Sequence, residues 1–431
     1  MKKFSNYVIA CAWAVSLLCG TVAKPTWAAE VNFVSTQLRP VDEADKVRNV
    51  ILKGMSDTVK FTPEDDGPFL TRLLAEVAAG KGQVGVAGAL DSSLATLNDK
   101  GALSDLDALY ASLAKTRSFN SAFTSVGTFG GERQRMVPWM YSSYIMMANK
   151  KALPYLPKGA DINALTYDQL KQWAKAIKDA TGEAKLGFPA GPKGLMHRFF
   201  QGYLYPSYTG GMARTFRSVD AQKMWADFRD LWQYTNARST AYGFMEEPMA
   251  SGEVWIAFDH AARLLPALKE KPGDFVAFPA PAGPRGRGYM LVLAGLSIPK
   301  SAPDKEAAGR LIDHLTRSTT QAITLAETGF YPVVKTTEVK LGEGIAMVAN
   351  ALEQQSGAKD ARAATVPVGL GAKGGEFNKI YLDAFQRIVL RREDIAGVLK
   401  AQGEAMKALL DEVKIPCWAP DKTQGTHCSV D

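Results

Sequence analysis

The sequence of 431 residues contains few histidines and few cysteines, four of each. His197, His260, His314 and His427 do not show the spacing of ligands that hold one metal ion. The phosphate-binding patterns GxxxxGKS and GxxxxGKT do not occur, and the Gly-rich stretch "GPRGRG" follows a Pro-rich turn instead of opening a helix. We therefore expect no histidine metal centre, no nucleotide-phosphate site and no cofactor. A divalent ion held by acidic side chains alone is left open.

Long apolar runs are restricted to the N-terminal segment. Lys2 and Lys3 precede the apolar stretch "YVIACAWAVSLLCG", which is followed by small residues up to Ala29. This order is typical of a secretory signal peptide, here residues 1–29. No later stretch reaches the roughly 18 apolar residues that a membrane-spanning helix needs. The sequence predicts an exported, soluble mature protein.

Long basic runs are missing as well. The formal net charge of +7 falls to +4 when the leader is removed, because the leader carries Lys2, Lys3 and Lys24 and no acid. Without a clustered basic patch, nucleic acid is a poor candidate partner.

Removal of the leader leaves two cysteines, Cys417 and Cys428. In an oxidising compartment, two cysteines this close in sequence are typical of one disulfide. We expect it to staple a C-terminal tail, residues 413–431. The alternative is a metal site that adds His427, for which two sulfurs and one imidazole are a weak ligand set.

Strand and helix patterns alternate along the chain. The stretch "DDGPFLTRLLAEVAAGKG" has Pro68 in its first turn and Gly80 as its stop, which predicts a helix. In "LTYDQLKQWAKAIKDATG", Thr166 and Gln169 form a capping box and Gly182 ends the helix. Such alternation predicts an α/β fold with parallel strands.

A set of stretches occurs in an order that resembles a known family. The set comprises "FLTRLLAEVAAGKGQVGV", "LATLNDKGALSDLDAL", "VPWMYSSYIMMANKKAL", "LTYDQLKQWAKAIKDATG", "SGEVWIAF", "FPAPAGPRGRG", "AGLSIPKSAPDKEAAGRLIDHLTRSTTQ" and "GFYPVV". In this order they resemble the extracellular solute-binding proteins of ABC importers, of the large sugar-binding kind that includes the maltodextrin-binding proteins. One departure is visible, because "AGKGQVGV" lacks the acidic residue that the family often has there.

The resemblance implies the two-lobed type II periplasmic-binding-protein fold, with a mostly parallel sheet flanked by helices in each lobe. The N-lobe would comprise residues 30–140 plus 286–328, and the C-lobe residues 145–280 plus 332–412. The implied protein is a periplasmic monomer that binds a carbohydrate between its lobes. It would deliver that solute to an ABC permease in the inner membrane.

The stretch "GEVWIAFDHAARLL" carries the first candidate site residues. A catalytic interpretation makes His260 a base oriented by Asp259, but neighbouring residues on a strand point to opposite faces. The resemblance instead places Asp259 at a cleft, where it would accept hydrogen bonds from sugar hydroxyls, and Arg263 could donate to them. In the alternative, His260 is a turn residue and Arg263 lies on a helix surface.

Aromatic residues form the second candidate group, because sugar C–H faces stack on rings while hydroxyls meet polar groups. The resemblance places Trp139, Tyr144 and Tyr331 in crossover segments. It also places an acid and an aromatic of the family near Arg198 and Phe200, beside His197, although the acid is missing here. Each of these rings could equally belong to a hydrophobic core.

The third group lies in N-lobe loops that follow strands. Gln37 or Arg39 in "STQLRP" could face the cleft, and Asp91 falls near the cleft contacts of the family. Asp91 could also be a helix cap.

Two other functions remain as alternatives. One is an exported carbohydrate-active enzyme that uses Asp259 and a second carboxylate. The other is a binder of a non-sugar solute such as a polyamine, an amino acid or a sugar phosphate.

Overall fold

A computed structural model describes residues 29–39, 41–119, 121–336, 340–370 and 373–431. The predicted leader, residues 1–29, lies outside these ranges except for Ala29. No helix in the described ranges combines the length and the apolar composition needed to cross a membrane.

The described chain forms strands and helices in alternation. The strands are β1 (Glu30–Ser35), β2 (Thr58–Pro63), β3 (Val84–Leu90), β4 (Val137–Ser142), β5 (Tyr144–Asn149), β6 (Leu186–Gly187), β7 (Ile256–His260), β8 (Phe275–Phe278), β9 (Arg287–Ser297), β10 (Tyr331–Pro332) and β11 (Ala361–Thr365). The helices are α1 (Val41–Lys46), α2 (Asp66–Ala78), α3 (Asp91–Asp99), α4 (Asp107–Leu113), α5 (Ser121–Val126), α6 (Tyr167–Thr181), α7 (Met196–Phe199), α8 (Tyr205–Thr209), α9 (Val219–Trp232), α10 (Glu246–Ala250), α11 (Ala261–Glu270), α12 (Lys305–Thr316), α13 (Ser318–Thr328), α14 (Glu343–Gly357), α15 (Gly374–Phe385) and α16 (Ile395–Val413).

Two sheets organise the molecule into two lobes. The first sheet has the order β10-β4-β9-β3-β1-β2, and β11 adds to β9. The second sheet has the order β6-β7-β5-β8. Each sheet packs against its own helices through apolar side chains, and the largest apolar cluster belongs to the second lobe. We call the part built on the first sheet the N-lobe and the part built on the second the C-lobe.

The sheets are mixed, so the expectation of mostly parallel strands was wrong in this detail. β1 is parallel to β2 and β3, as successive strand-helix-strand units require. β9 returns from the C-lobe and is therefore antiparallel to both β3 and β4. In the second sheet, β5 is antiparallel to β7 and β8.

The chain passes between the sheets at short segments. Ser143 separates β4 of the first sheet from β5 of the second, and residues 279–286 separate β8 from β9. These segments can act as hinges because each connects a strand of one sheet to a strand of the other through few residues. The exact lobe boundaries, residues 30–140 plus 286–328 and 145–280 plus 332–412, remain a prediction.

The locally signalled helices begin and end near their predicted residues. α6 has the capping box between Thr166 and Gln169, and Gly182 follows it with φ of 77°. α2 spans Asp66–Ala78, and Gly80 has φ of 69°. Both glycines occupy the left-handed region that favours glycine at helix ends.

The C-terminal tail is fixed to the C-lobe. The predicted disulfide joins Cys417 to Cys428. Asp421 accepts hydrogen bonds from the backbone N–H groups of Met212, Ala213 and Arg214, at 2.9, 2.7 and 3.2 Å. The tail therefore belongs to the surface of the C-lobe.

Candidate functional site

The carboxyl ends of β1, β2 and β3 meet at one edge of the N-lobe sheet, because these strands are parallel. Gln37, Glu64 and Asp91 follow the three strands directly or within two residues. Gln37 is half-buried, and its side-chain amide donates to the Thr36 hydroxyl at 3.0 Å. Glu64 is also half-buried, and its Oε2 has no hydrogen-bond partner among the described residues. This edge therefore gathers polar side chains that follow three neighbouring strands.

Asp91 is the most perturbed acid of this edge. It is the first residue of α3 and is 5% exposed. Leu90, not Asp91, occupies the cap position, and the Asp91 carboxylate accepts the N–H of Ser92 at 2.8 Å. Burial raises the pKa of Asp91 to about 7, against the opposing effects of that hydrogen bond and of Arg198.

Arg198 approaches Asp91 from the opposite lobe. It lies on α7, where burial lowers the pKa of its guanidinium while Tyr144 and Asp91 raise it. Nη1 of Arg198 donates to the Gln201 amide oxygen at 3.2 Å, and Gln201 donates to Asn378 at 2.9 Å. Each of these two side chains therefore influences the pKa of the other from the opposite lobe.

Tyr144 and His197 lie beside Arg198. Tyr144 stacks on Phe258 with ring centroids 5.6 Å apart and contacts His260 edge-on at 5.0 Å. Burial raises the pKa of Tyr144 to about 12 and lowers that of His197 to about 3. The imidazole of His197 makes no hydrogen bond to any other residue in the described ranges. Tyr144 is 3% exposed within the C-lobe apolar cluster and His197 is 9% exposed, so a contact of either with a solute stays a prediction.

Asp259 and His260 point to opposite faces of β7, as the strand geometry requires. Asp259 is fully buried, and its two oxygens accept the N–H groups of Met245 at 2.9 Å and His260 at 2.7 Å. Nδ1 of His260 caps α11 by accepting the N–H of Ala262 at 3.3 Å. Burial raises the pKa of Asp259 to about 6 and lowers that of His260 to about 4. Neither residue orients the other for proton transfer.

Arg263 joins this group to the surface. Its Nη1 lies 3.7 Å from Asp259 Oδ1 and donates to the Gly243 carbonyl at 3.3 Å. Its guanidinium stacks over the Phe244 ring at 4.3 Å, and Phe244 is 49% exposed. Asp259 thus holds Arg263 and the 243–245 loop in place, while Arg263 remains partly accessible. We call Asp91, Tyr144, His197, Arg198 and Arg263 the cleft cluster.

Two cavities lie between the lobes. The tail cavity has about 360 Å³ and is lined by Asp91, Val126, Phe129, Thr365, Trp418 and Ala419, among others. The aromatic cavity has about 490 Å³ and is lined by Phe119, Phe123, Tyr141, Tyr289 and Glu353, among others. Leu291 of β9 lines both, so the cavities adjoin at the same strand.

Three of the expected site residues lie in apolar cores, and a fourth lies at the surface. Trp139 is fully buried against Phe33, and Phe200 is fully buried against Trp225. Tyr331 is 3% exposed and lies within an apolar cluster. Arg39 is exposed and forms an ion pair with Asp65. The first three are core residues, because tertiary packing covers their rings, and the candidate site excludes them; a role of Arg39 in the cleft stays a prediction.

Sequence reasoning missed several residues of the site. Phe244 and Phe129 lie in irregular segments, where no helical or strand periodicity indicates which side chains face a cavity. Gln201 and Asn378 are 177 residues apart, and only the fold brings them together. The glycines around Phe129 were the one local signal of an exposed turn. Within the described ranges, no three His, Cys, Asp or Glu side chains gather as metal ligands.

Solved structures share this arrangement across nearly the whole chain. The sugar-binding protein MalE of Xanthomonas citri superposes with a TM-score of 0.70 at 16% identity, covering 88% of this chain and 97% of MalE. UgpB from Mycobacterium tuberculosis, in complex with glycerophosphocholine, gives 0.69 at 20% identity, covering 90% and 99%. The GacH receptor of Streptomyces glaucescens, solved unliganded and with acarbose, gives 0.67 at 16% identity, covering 90% and 100%. At these identities the comparison establishes the fold.

Two lobes that share crossover strands and hold polar groups between them define the two-lobed class of solute-binding proteins. The sequence profile described as bacterial extracellular solute-binding protein matches residues 56–350, which is more than half of the chain. The chain therefore belongs to the bacterial extracellular solute-binding proteins. A comparison with curated protein sequences found no significant match.

Proposed function

We propose that this protein is the periplasmic solute-binding component of an ABC transporter. It captures a sugar or oligosaccharide between its lobes and delivers it to a permease in the inner membrane, acting as a monomer. The observation that carries the proposal is the cavity that Asp91 of the N-lobe lines together with Trp418 and Ala419 of the tail on the C-lobe, with Arg198 of the C-lobe acting on the Asp91 carboxyl. Polar groups from both lobes thus face the same space, as a cleft that closes over a solute requires.

The mechanism is hinge closure. The chain changes sheet at Ser143 and at residues 279–286, so the lobes can rotate about short segments. Solute shifts the equilibrium between open and closed forms by the difference in its affinity for the two. Asp91 and Gln37 contact the solute from one side, and Tyr144, His197, Arg198 and Arg263 contact it from the other.

A carbohydrate suits the chemistry of this cleft. Hydroxyl groups can both donate and accept, so they pair with the carboxyl of Asp91 and the guanidinium of Arg198. Apolar sugar faces pack on rings such as Tyr141, Tyr289 and Phe129 in the adjoining cavities. MalE, described as sugar-binding, and GacH, solved with acarbose, support this class of solute.

An anionic solute such as a sugar phosphate is the second candidate. Arg198 and Arg263 both act on His197, whereas Asp91 and Asp259 have raised pKa values and carry less negative charge near neutrality. The UgpB complex with glycerophosphocholine shares the fold and supports this alternative. The same two arginines would repel a positively charged polyamine, whose binding needs clustered acidic side chains.

We propose binding without catalysis because Asp259 and His260 are engaged in hydrogen bonds to the backbone. Asp259 is buried and accepts two backbone N–H groups, and His260 caps α11. A glycosidase would need a second carboxyl group aimed at the same bond as Asp259. Arg198 and Arg263 instead flank this part of the cleft.

Thermal unfolding and calorimetry with a defined set of compounds test the proposal. The set is glucose, tagatose, maltose, maltotriose, glycerol 3-phosphate, glycerophosphocholine and spermidine. At least one saccharide should raise the Tm by mass action and be recovered unchanged. Arg198→Ala should weaken its affinity by about tenfold or more, because a charge-assisted hydrogen bond contributes about 1.5–3 kcal/mol.

Lys175→Ala is the matched control, since Lys175 is an exposed cation on α6 that pairs with Asp179 and is not a candidate site residue. Its affinities should equal those of the wild type. Conversion of a saccharide that is lost in Asp259→Ala would contradict the proposal and favour the enzyme. Stabilisation by glycerol 3-phosphate alone would favour the second candidate.

A further inference from the structure

The tail cavity lies between segments of different lobes. Asp91, Val126 and Phe129 come from the N-lobe, whereas Trp418 and Ala419 belong to the disulfide-closed tail, which is fixed to the C-lobe. Its volume of about 360 Å³ falls within the range of roughly 300–1,000 Å³ that is typical of ligand pockets. Asp91 belongs to the cleft cluster as well, so the cavity is continuous with the candidate site.

The tail forms a rigid wall of this cavity. Nε1 of Trp418 donates to the Val368 carbonyl at 2.9 Å, and its ring packs edge-on against Phe377 at 5.0 Å. The Ala419 carbonyl accepts the N–H of Thr365 at 3.1 Å. With the disulfide and the bonds of Asp421, these contacts fix Ala419 at the cavity while leaving it exposed.

The opposite wall is the turn from Gly127 to Gly131. Phe129 adopts φ of 50°, a left-handed conformation that is uncommon for a bulky residue. Its N–H donates to the Val126 carbonyl at 3.0 Å, which holds the turn. Such conformations persist where the surroundings impose them, often at ligand sites. The turn keeps a half-buried aromatic ring at the cavity.

We propose that the tail cavity is a subsite for the terminal ring of an oligosaccharide, with the disulfide-closed tail as its second wall. The inference rests on the proposed function and adds a specificity-determining role for Phe129 and Ala419. The apolar face of a sugar ring packs on Phe129 and the tail, while a hydroxyl meets the Asp91 carboxyl. Because the walls belong to different lobes, closure grips the terminal ring only when the solute is long enough to reach it.

Calorimetry on the full chain with glucose, tagatose, maltose and maltotriose tests this subsite. Ala419→Trp places an indole in the cavity at an exposed position, so the fold is retained. It should weaken binding of the longest saccharide that binds by tenfold or more and change the affinity for a monosaccharide less than twofold. Phe129→Ala should also weaken binding of the longest saccharide by about tenfold, because it removes the ring that the sugar face contacts.

Each variant has a matched control. Ala401→Trp adds an indole at an exposed position of α16, away from the cavity, and Phe330→Ala removes a half-buried N-lobe ring that lies outside it. Both folded control variants should bind each saccharide with the wild-type affinity. Wild-type affinities in Ala419→Trp and Phe129→Ala, with Arg198→Ala still weakened, would overturn the subsite and leave the proposed function intact. Failure of all four saccharides to bind the wild type would overturn both.

Discussion

Asp91 shows how one buried acid reports on the cleft. The folded protein holds its pKa at about 7, against an ordinary value of 3.8. Between these values the folded state binds a proton that the unfolded state releases, so stability falls as pH rises. The cost of burying this carboxylate is therefore absent near pH 4 and complete above pH 7.

Asp91→Asn removes this cost, because an amide does not ionise. We expect the variant to unfold like the wild type near pH 4 and to be more stable at pH 8. Three pKa units at about 1.4 kcal/mol each set an upper bound of about 4 kcal/mol for the gain. Urea denaturation between pH 4 and 8 measures it.

The control is Asp99→Asn, an exposed position on the same helix. Its pH profile should follow that of the wild type. Parallel profiles for Asp91→Asn and the wild type would show that the Asp91 carboxyl is not desolvated in solution.

At the level of single residues, the sequence predicts only some of the residues of the candidate site. Tyr144, His197, Arg198 and Arg263 lie close together, and their role in a solute site stays a prediction. Trp139, Phe200 and Tyr331 lie in cores, because an aromatic residue that stacks on sugar and one that fills a core look alike in sequence. Only tertiary packing separates the two.

Between elements, a buried network joins the crossover segments. Tyr203 donates to the Tyr144 carbonyl at 2.8 Å, and Ser143 donates to the Met290 carbonyl at 2.6 Å. Gln355 of α14 donates to the Tyr144 carbonyl at 3.1 Å and accepts the Ala280 N–H at 2.9 Å. Through Gln355, a single side chain links both crossover segments.

Gln355→Leu keeps the approximate volume and removes these two bonds. The buried Ala280 N–H loses its partner, whereas the Tyr144 carbonyl keeps its bond from Tyr203, so the free energy of unfolding should fall by about 1–3 kcal/mol. Chemical denaturation monitored by circular dichroism measures the change.

Gln354→Leu on the same helix is the comparison, because Gln354 bonds only to Asn350 of its own helix in the described residues. Its effect should stay below about 0.5 kcal/mol, as for most surface changes. Equal losses in the two variants would mean that Gln355 does not join the crossovers.

Helices were predictable where their signals are local. Thr166, Gln169 and Gly182 define α6 within the segment itself. Strand direction was not predictable in the same way, because β9 pairs with β3, β4 and β11, which come from distant parts of the chain. The direction of β9 follows from the return of the chain from the C-lobe to the N-lobe, and no short sequence pattern predicts this return.

For the molecule as a whole, closure should change its shape. Small-angle X-ray scattering of the wild type should give a smaller radius of gyration with a saturating saccharide than without it, because the lobes approach each other. The same saccharide at the same concentration should leave Arg198→Ala closer to the open form. Identical curves for a saccharide that raises the Tm would show binding without closure.

The bond between Cys417 and Cys428 closes the loop that carries Ala419, one wall of the proposed subsite. Thiols remain reduced in the cytosol and pair after secretion. On the proposed function, a precursor that has not been exported therefore lacks this cross-link, although Asp421 and Trp418 still hold the tail against the C-lobe. Recombinant material made in a reducing cytosol should be reoxidised before its affinities are measured.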